Sequence, residues 1–381
     1  MMKLMAAALL AGAALAAQAQ MKVGVISSAT GPTAVVGIPQ KNTAALLPKK
    51  IGNVDVEYTV YDDASDPTQS VMLVKKLLNE EKVDAIIGPS GSPNAMGAIQ
   101  FIAEAKTPLL APVGTPAVVL PMDEQKRWVF KTTQNDSLIS EALVGHMARN
   151  GIKTVGFIGL SDAYGESWYR TFVPMAEKAG IRLVANERFQ RSDQSVIGQA
   201  AKIIAANPDA VLVGAAGGPT VLPQTTLVER GYKGQVYQTH GAATPDFMRL
   251  GGKLVEGTVM AASLMLVLDQ MPDSNPSKKM AQGYVAAYEK MYGSKPATFG
   301  ANVYDAGLLL QHAVPEAAKK ARPGTAEFRA ALRDALEDTH ELVGTQGVYN
   351  MTPQDHAGFD KRGRVLMTLK NGAWQLIANP D

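Results

Sequence analysis

Short, largely apolar runs alternate along this chain with longer segments whose apolar residues recur every three or four positions. The runs at 21–27, 84–87, 108–111, 154–159, 182–185, 210–213 and 235–239 read as buried parallel strands. Residues 54–61 alternate with a period of two, the signature of a half-buried strand. Helical spacing marks 69–79, 95–105, the stretch from 166 to about 178, 195–206, 276–292, 301–320 and 325–337. The end of the chain, 364–369 and 373–377 around Asn371-Gly372, predicts a hairpin with a type I′ turn. Strand, loop and helix succeed one another twice over, once from residue 21 and again from about 134. That rhythm predicts an α/β fold: two Rossmann-like lobes with parallel sheets flanked by helices.

The loops after the strands are made of small residues. They are Ser28-Ala-Thr-Gly-Pro32, Gly88-Pro-Ser-Gly-Ser-Pro-Asn94, Pro112-Val-Gly-Thr-Pro116, residues 160–165, Gly214-Ala-Ala-Gly-Gly-Pro219 and His240-Gly-Ala-Ala243. Ser92 is expected to cap the helix at 95–105, with Pro93 in its first turn. Backbone N–H groups and hydroxyls collect where strands end and helices begin. Open α/β sheets bind ligands there, and a helix N-terminus favours an anion. A small, anionic ligand is the expectation.

Composition narrows the partners. With 381 residues, a net charge of +2 and 46% hydrophobic residues, the chain has room for two domains and no electrostatic footprint for nucleic acid. Met1-Met-Lys3, the apolar stretch from 4 to 16 and Ala17-Gln-Ala19 read as a signal peptide cut before Gln20. A periplasmic protein without direct membrane insertion is expected. There is no cysteine, so neither a lipid anchor nor a disulfide is available. Catalytic patterns are lacking: no Gly-x-Ser-x-Gly elbow, no Walker loop, no dinucleotide fingerprint. The five histidines are scattered, so neither a metal nor a cofactor is expected. Asp62-Asp63, ahead of Asp66-Pro67, suits a turn and helix cap better than an acid–base pair.

Five segments taken in order carry a resemblance: 28–32, Tyr61-Asp-Asp-Ala-Ser-Asp-Pro67, Ile86-Ile-Gly-Pro89, Ala111-Pro-Val-Gly-Thr115 and Ala163-Tyr-Gly-Glu166. Over essentially the whole mature chain it resembles the leucine/isoleucine/valine-binding proteins of ABC importers, which are type I periplasmic binding proteins. Its departures resemble the branch that binds aromatic acids and 2-oxo acids. The resemblance implies three crossovers between the lobes, here 20–134 plus 264–345 and 135–263 plus 346–381. It also implies a ligand in the cleft, hinge closure, and docking on a membrane permease. Ser92, Val113, Gly114 and Thr115 match the carboxylate-binding turn, and Tyr164 an aromatic cover from the second lobe. The acidic partner of an amino acid's ammonium falls at His240, and two aromatic contacts fall at Ala216 and Val36. The family's cysteine pair falls at Ser65 and Gly91.

A buried ammonium without an anionic partner costs several kcal/mol. The expected ligand therefore has a carboxylate, no α-ammonium and a bulky or aromatic body; aromatic acids and 2-oxo acids fit. A monomeric, non-enzymatic transport protein is expected. The alternatives are branched-chain amino acid binding in the same role, an exported hydrolase with a dispersed triad, and a ligand-sensing module.

Overall fold

The computed structural model describes residues 20–377; the expected signal peptide at 1–19 lies outside them. The first series runs β1 (Met21–Ser27), α1 (Ala34–Ala44), β2 (Lys50–Ile51), β3 (Val54–Asp62), α2 (Pro67–Asn79), β4 (Ala85–Ile87), α3 (Ser92–Ala105), β5 (Leu109–Ala111) and β6 (Val129–Lys131). Its six strands are ordered β2-β3-β1-β4-β5-β6. All pair in parallel except the two-residue edge strand β2.

The second series runs α4 (Asp136–Arg149), β7 (Thr154–Leu160), α5 (Ala163–Lys178), β8 (Arg182–Phe189), α6 (Ile197–Ala206), β9 (Ala210–Gly214), α7 (Val221–Glu229), β10 (Gln235–Gln238), α8 (Pro245–Gly251) and β11 (Val259–Ala262). The last third adds α9 (Lys278–Tyr292), α10 (Gly300–Lys320), α11 (Ala326–Glu337), β12 (Leu342–Val343), β13 (Val348–Tyr349), β14 (Val365–Lys370) and β15 (Ala373–Leu376). The second sheet is ordered β15-β14-β11-β10-β9-β7-β8. The hairpin β14–β15 joins it antiparallel to β11. Its turn places Asn371 at φ 55° and Gly372 at φ 71°, as a type I′ turn requires.

Each sheet is covered on both faces, which is why inner strands such as β4, β5 and β9 are apolar throughout. In β4, Ile87 faces the cluster built with α10 and α11, and Ile86 the cluster built with α2 and α3. Leu309, Leu310, Phe328 and Leu332 of the last third thus complete the first lobe. In the second sheet, Ala261 and Leu366 face one cluster while Met260 and Met367 face the other.

In the last third, Leu264, Val267, Leu268 and Met271 pack in one cluster with Met260 and Met367 of the second sheet. Tyr349 and Met351, with Phe359 against them, pack in the first-lobe core. The apolar pattern could not place these segments, because contact with one sheet or the other leaves the same pattern. α1, α4, α8, β2, β6, β11, β12 and β13 had no distinct signal in the periodicity.

The last crossover is fixed by one buried carboxylate. Asp305 accepts from Thr345 N–H and Oγ1–H, each at 2.7 Å, and from the Tyr349 hydroxyl at 3.1 Å. Burial pushes Asp305 up to about 6, against the lowering effect of those hydrogen bonds. A carboxyl with a folded pKa above its unfolded value binds its proton more tightly when folded, so its contribution to stability falls as pH rises through that window. The unfolding free energy of the wild type, measured against Asp305→Asn, is therefore expected to gain up to about 3 kcal/mol as pH drops from 7 to 4. Urea titrations at several pH values check this, and a constant difference between the two proteins would refute it.

Candidate functional site

Both sheets reverse their winding direction, and the loops at those reversals face each other. In the first sheet the chain moves from β1 outward to β3 and then to β4 on the other side. The loops after β1 and β4 therefore flank a crevice at the strands' carboxyl ends. In the second sheet β7 and β9 do the same. Between the lobes lies a cavity whose wall includes Thr33, Val36, Ser90, Gly91, Ser92, Pro112, Val113, Gly114 and Thr133 from the first lobe side. Tyr164, Arg191, Ala216, His240 and Gly241 line it from the second lobe, and Phe299 and Asn302 from the start of α10.

Ser92 is not the cap that was expected. Gly91 occupies the N-cap position with extended backbone, and Ser92 is the first helical residue. The turn is held instead by Ser90, whose hydroxyl donates to Gln40 Oε1 at 2.5 Å and accepts from Ser28 N–H at 3.0 Å. Ser92 Oγ is left buried in the cavity wall without a hydrogen-bond partner among the described residues. No base activates it, so it has no nucleophile's environment.

Val36, Ser92, Val113, Gly114, Tyr164, Ala216 and His240 are all brought into the one cavity. Thr115 is the exception: it does not line this cavity. Its hydroxyl accepts from Ala117 N–H at 3.2 Å, capping the short turn opened by Pro116. Thr115 lines a separate groove between Met96 and Ala163. Tyr164 donates to, or accepts from, Thr239 Oγ1 at 3.0 Å. It also packs 6.4 Å from Trp168 and 6.3 Å from His240, ring centre to ring centre.

Behind the cavity sits a buried charge network that the strand pattern did not reveal. Lys131, at the end of β6, is fully buried. Its ammonium donates to Gly114 O and Asn135 Oδ1, each at 2.6 Å, to Thr115 O at 3.2 Å and to Gln134 O at 3.4 Å. It thereby ties the 112–116 turn to the first crossover. Asp136, also fully buried, accepts from the Ser167 hydroxyl at 2.7 Å. Burial pushes Asp136 up and Lys131 down, and the attraction between their charges opposes both shifts.

His240 Nε2 stands 3.5 Å from Asp136 Oδ1. Burial, and secondly the Lys131 charge, push His240 down to about 3. The contact is therefore between a carboxylate and a neutral ring, not an ion pair. A Cβ at Gly114 would come within 2.4 Å of Asp136 Oδ1 and 2.5 Å of His240 Nε2, so only glycine fits between the two.

Arg191 is the cation of the cavity wall. Its Nε donates to Asp162 at 2.6 Å and Nη1 to Ala216 O at 3.2 Å. It lies two residues past β8, which runs four residues beyond the expected strand end; a strand end at a reversal point was the available signal. Asn302 and Phe299 come from the last third, where nothing in the pattern pointed to the cleft. Asp62 and Asp63 take the structural role expected of them. Asp62 accepts from Ala29 and Ala64 N–H, and Asp63 from Ser70 and Asn94. Among the described residues no cluster suits a metal ion, and no helix is long and apolar enough to cross a membrane.

Comparison with known proteins matches this geometry. A family model described as periplasmic binding protein covers residues 20–372. An extracellular ligand-binding receptor from Rhodopseudomonas palustris HaA2 superposes with a TM-score of 0.92 at 46% identity, over 94% of this chain and 100% of that one. The Leu/Ile/Val-binding protein BraC3 of Rhizobium johnstonii is 25% identical over 354 residues, 90% of each chain. An ABC transporter solute-binding protein of R. palustris, solved in complex with benzoate, shares the fold. Its TM-score is 0.78 at 21% identity, over 94% of this chain and 95% of that one.

Replacing Lys131 by Met strands its oxygen acceptors and leaves Asp136 without its counter-charge. A loss of about 3–5 kcal/mol in unfolding free energy is expected. Chemical denaturation checks this; an unchanged midpoint and slope would show that the network is dispensable.

Proposed function

The chain belongs to the periplasmic binding protein family, in its branched-chain amino acid branch of ABC-type transport, and we propose that it captures a small carboxylate lacking an α-ammonium group. The family supplies the substrate-binding component that works with a membrane permease in the periplasm. Its relatives and fold are those of solute-binding proteins rather than enzymes.

One observation carries the ligand reading: the charge of the cavity wall. Arg191, ion-paired through Nε with Asp162, is the charged residue among the described lining residues, and none of those lining residues is Asp or Glu. Asp136 lies behind His240 and shares its field with Lys131. An ammonium in this cavity meets a neutral imidazole where it needs an anion, at a cost of several kcal/mol. A carboxylate meets Arg191, the unpaired Ser92 hydroxyl and the amides of the first turn of α3.

Val36 and Ala216 are small side chains in the wall, and the Tyr164 and Phe299 rings offer a ligand apolar contact. Aromatic acids and 2-oxo acids are the classes that fit. The same fold holds benzoate in the R. palustris protein. Capture proceeds by closure: the ligand shifts the open and closed populations by as much as it prefers the closed cleft. Branched-chain amino acids are the second reading, favoured by the names of relatives such as BraC3.

In a thermal-shift panel, aromatic or 2-oxo acids are expected to raise the melting temperature in proportion to ligand excess, with leucine, isoleucine and valine silent. Strong stabilisation by leucine alone would overturn the carboxylate reading. Arg191→Met combined with Ser92→Ala is expected to weaken the best acid by about 100-fold or more in calorimetry, without unfolding the protein. Unchanged affinity would remove both residues from the site.

A further inference from the structure

Buried polar atoms in the cavity wall await partners that the protein does not provide. His240 is 6% exposed and Asn302 1% exposed, and both line the cavity. Neither His240 Nδ1 nor the amide oxygen and nitrogen of Asn302 has a hydrogen-bond partner among the described residues.

What these atoms require follows from their surroundings. Asp136 Oδ1 faces His240 Nε2 at 3.5 Å, and its other oxygen is held by the Ser167 hydroxyl at 2.7 Å. A ring lone pair pointed at a carboxylate in a buried setting is repulsive. The single proton of the neutral ring therefore sits on Nε2, and Nδ1 keeps its lone pair as an acceptor. Asp136 acts as a positioning residue that sets the tautomer. Asn302 makes a similar demand whichever way its amide is turned, since one end always accepts and the other always donates.

We infer that the captured acid carries a hydroxyl in addition to its carboxylate, and that His240 and Asn302 read it as a hydrogen-bond donor. The inference rests on the carboxylate reading above and narrows it. A hydroxyl donates its one proton to His240 Nδ1 or to the Asn302 amide oxygen, and accepts from the Asn302 amide nitrogen. A 2-oxo group only accepts, and an unsubstituted aromatic acid does neither, so both leave buried acceptors orphaned. An ammonium donates but brings a charge that no lining carboxylate balances. Sites built to bond a hydroxyl reject the analogue lacking it far more strongly than an apolar pocket rejects an added one.

Isothermal titration of the ligand-free protein with one matched set tests this. The set is phenylacetate, mandelate, 4-hydroxyphenylacetate, phenylglyoxylate and phenylglycine. It is extended one carbon shorter by benzoate and 4-hydroxybenzoate, and one longer by 3-phenylpropionate and 3-phenyllactate. At least one hydroxy acid is expected to bind about tenfold or more tightly than its deoxy partner. Phenylglyoxylate should do no better than phenylacetate. Asn302→Leu and His240→Phe should each shrink the hydroxyl preference while still binding the deoxy acid, with melting curves confirming the fold. Deoxy acids that match every hydroxy partner in the wild type would overturn the inference and leave the carboxylate reading standing. Failure of every acid to bind, or tighter binding of phenylglycine than of all acids, would overturn the carboxylate reading and the inference with it.

Discussion

The site depends on one buried ammonium. Lys131 reaches from the end of the last first-lobe strand to four oxygens, two of them in the ligand turn at Gly114 and Thr115 and two in the crossover at Gln134 and Asn135. A lysine with no exposure is costly unless every donor is used and an anion is near. Both conditions are met here, the anion being Asp136 one step along the chain. The result is rigidity where the lobes join: the first-lobe turn, the crossover and the start of α4 are held by a single side chain. His240 then packs against the far side of Asp136, so the second lobe completes a wall whose foundation is in the hinge.

The proposed closure requires the lobes to move without loosening their binding surfaces. The two sheets each have their own core, and the cavity is made from loops at their reversal points. Polar contacts among the crossovers keep the connecting segments side by side. Gln134 donates to Gly363 O at 2.7 Å, and the Tyr349 hydroxyl to Thr132 O at 3.2 Å. Motion about such segments moves lobes as bodies. The ligand gains its leverage from contacts that exist only when both walls are present.

Much of this was legible in the amino-acid order, for reasons that differ between residues. The strands and the turns after them follow from apolar runs ended by Gly, Pro and Ser, and these alone predict a cleft between two α/β lobes. Ser92 and His240 fall at those turns, and both line the cavity. Thr115 falls at such a turn too, but its hydroxyl caps the turn opened by Pro116 and it does not line the cavity. Lys131 and Asp136 gave no signal: a lysine closing a three-residue strand looks like a surface residue until its neighbours are known. Arg191 and Asn302 were missed because their approach to the cleft is decided by tertiary packing over long sequence distances.

The first lobe's sheet is finished by helices that the chain supplies almost two hundred residues after its last strand. Until Leu309, Leu310, Phe328 and Leu332 arrive, the face bearing Val23, Val25 and Ile87 is covered only in part, by Ala44 and Leu47. An amino-terminal fragment ending at β6 therefore has half a core and no means of closing it. Contacts of such sequence separation also fold slowly. A chain of this design cannot complete its first core until nearly all of it is available, so its two halves are committed to folding as one unit.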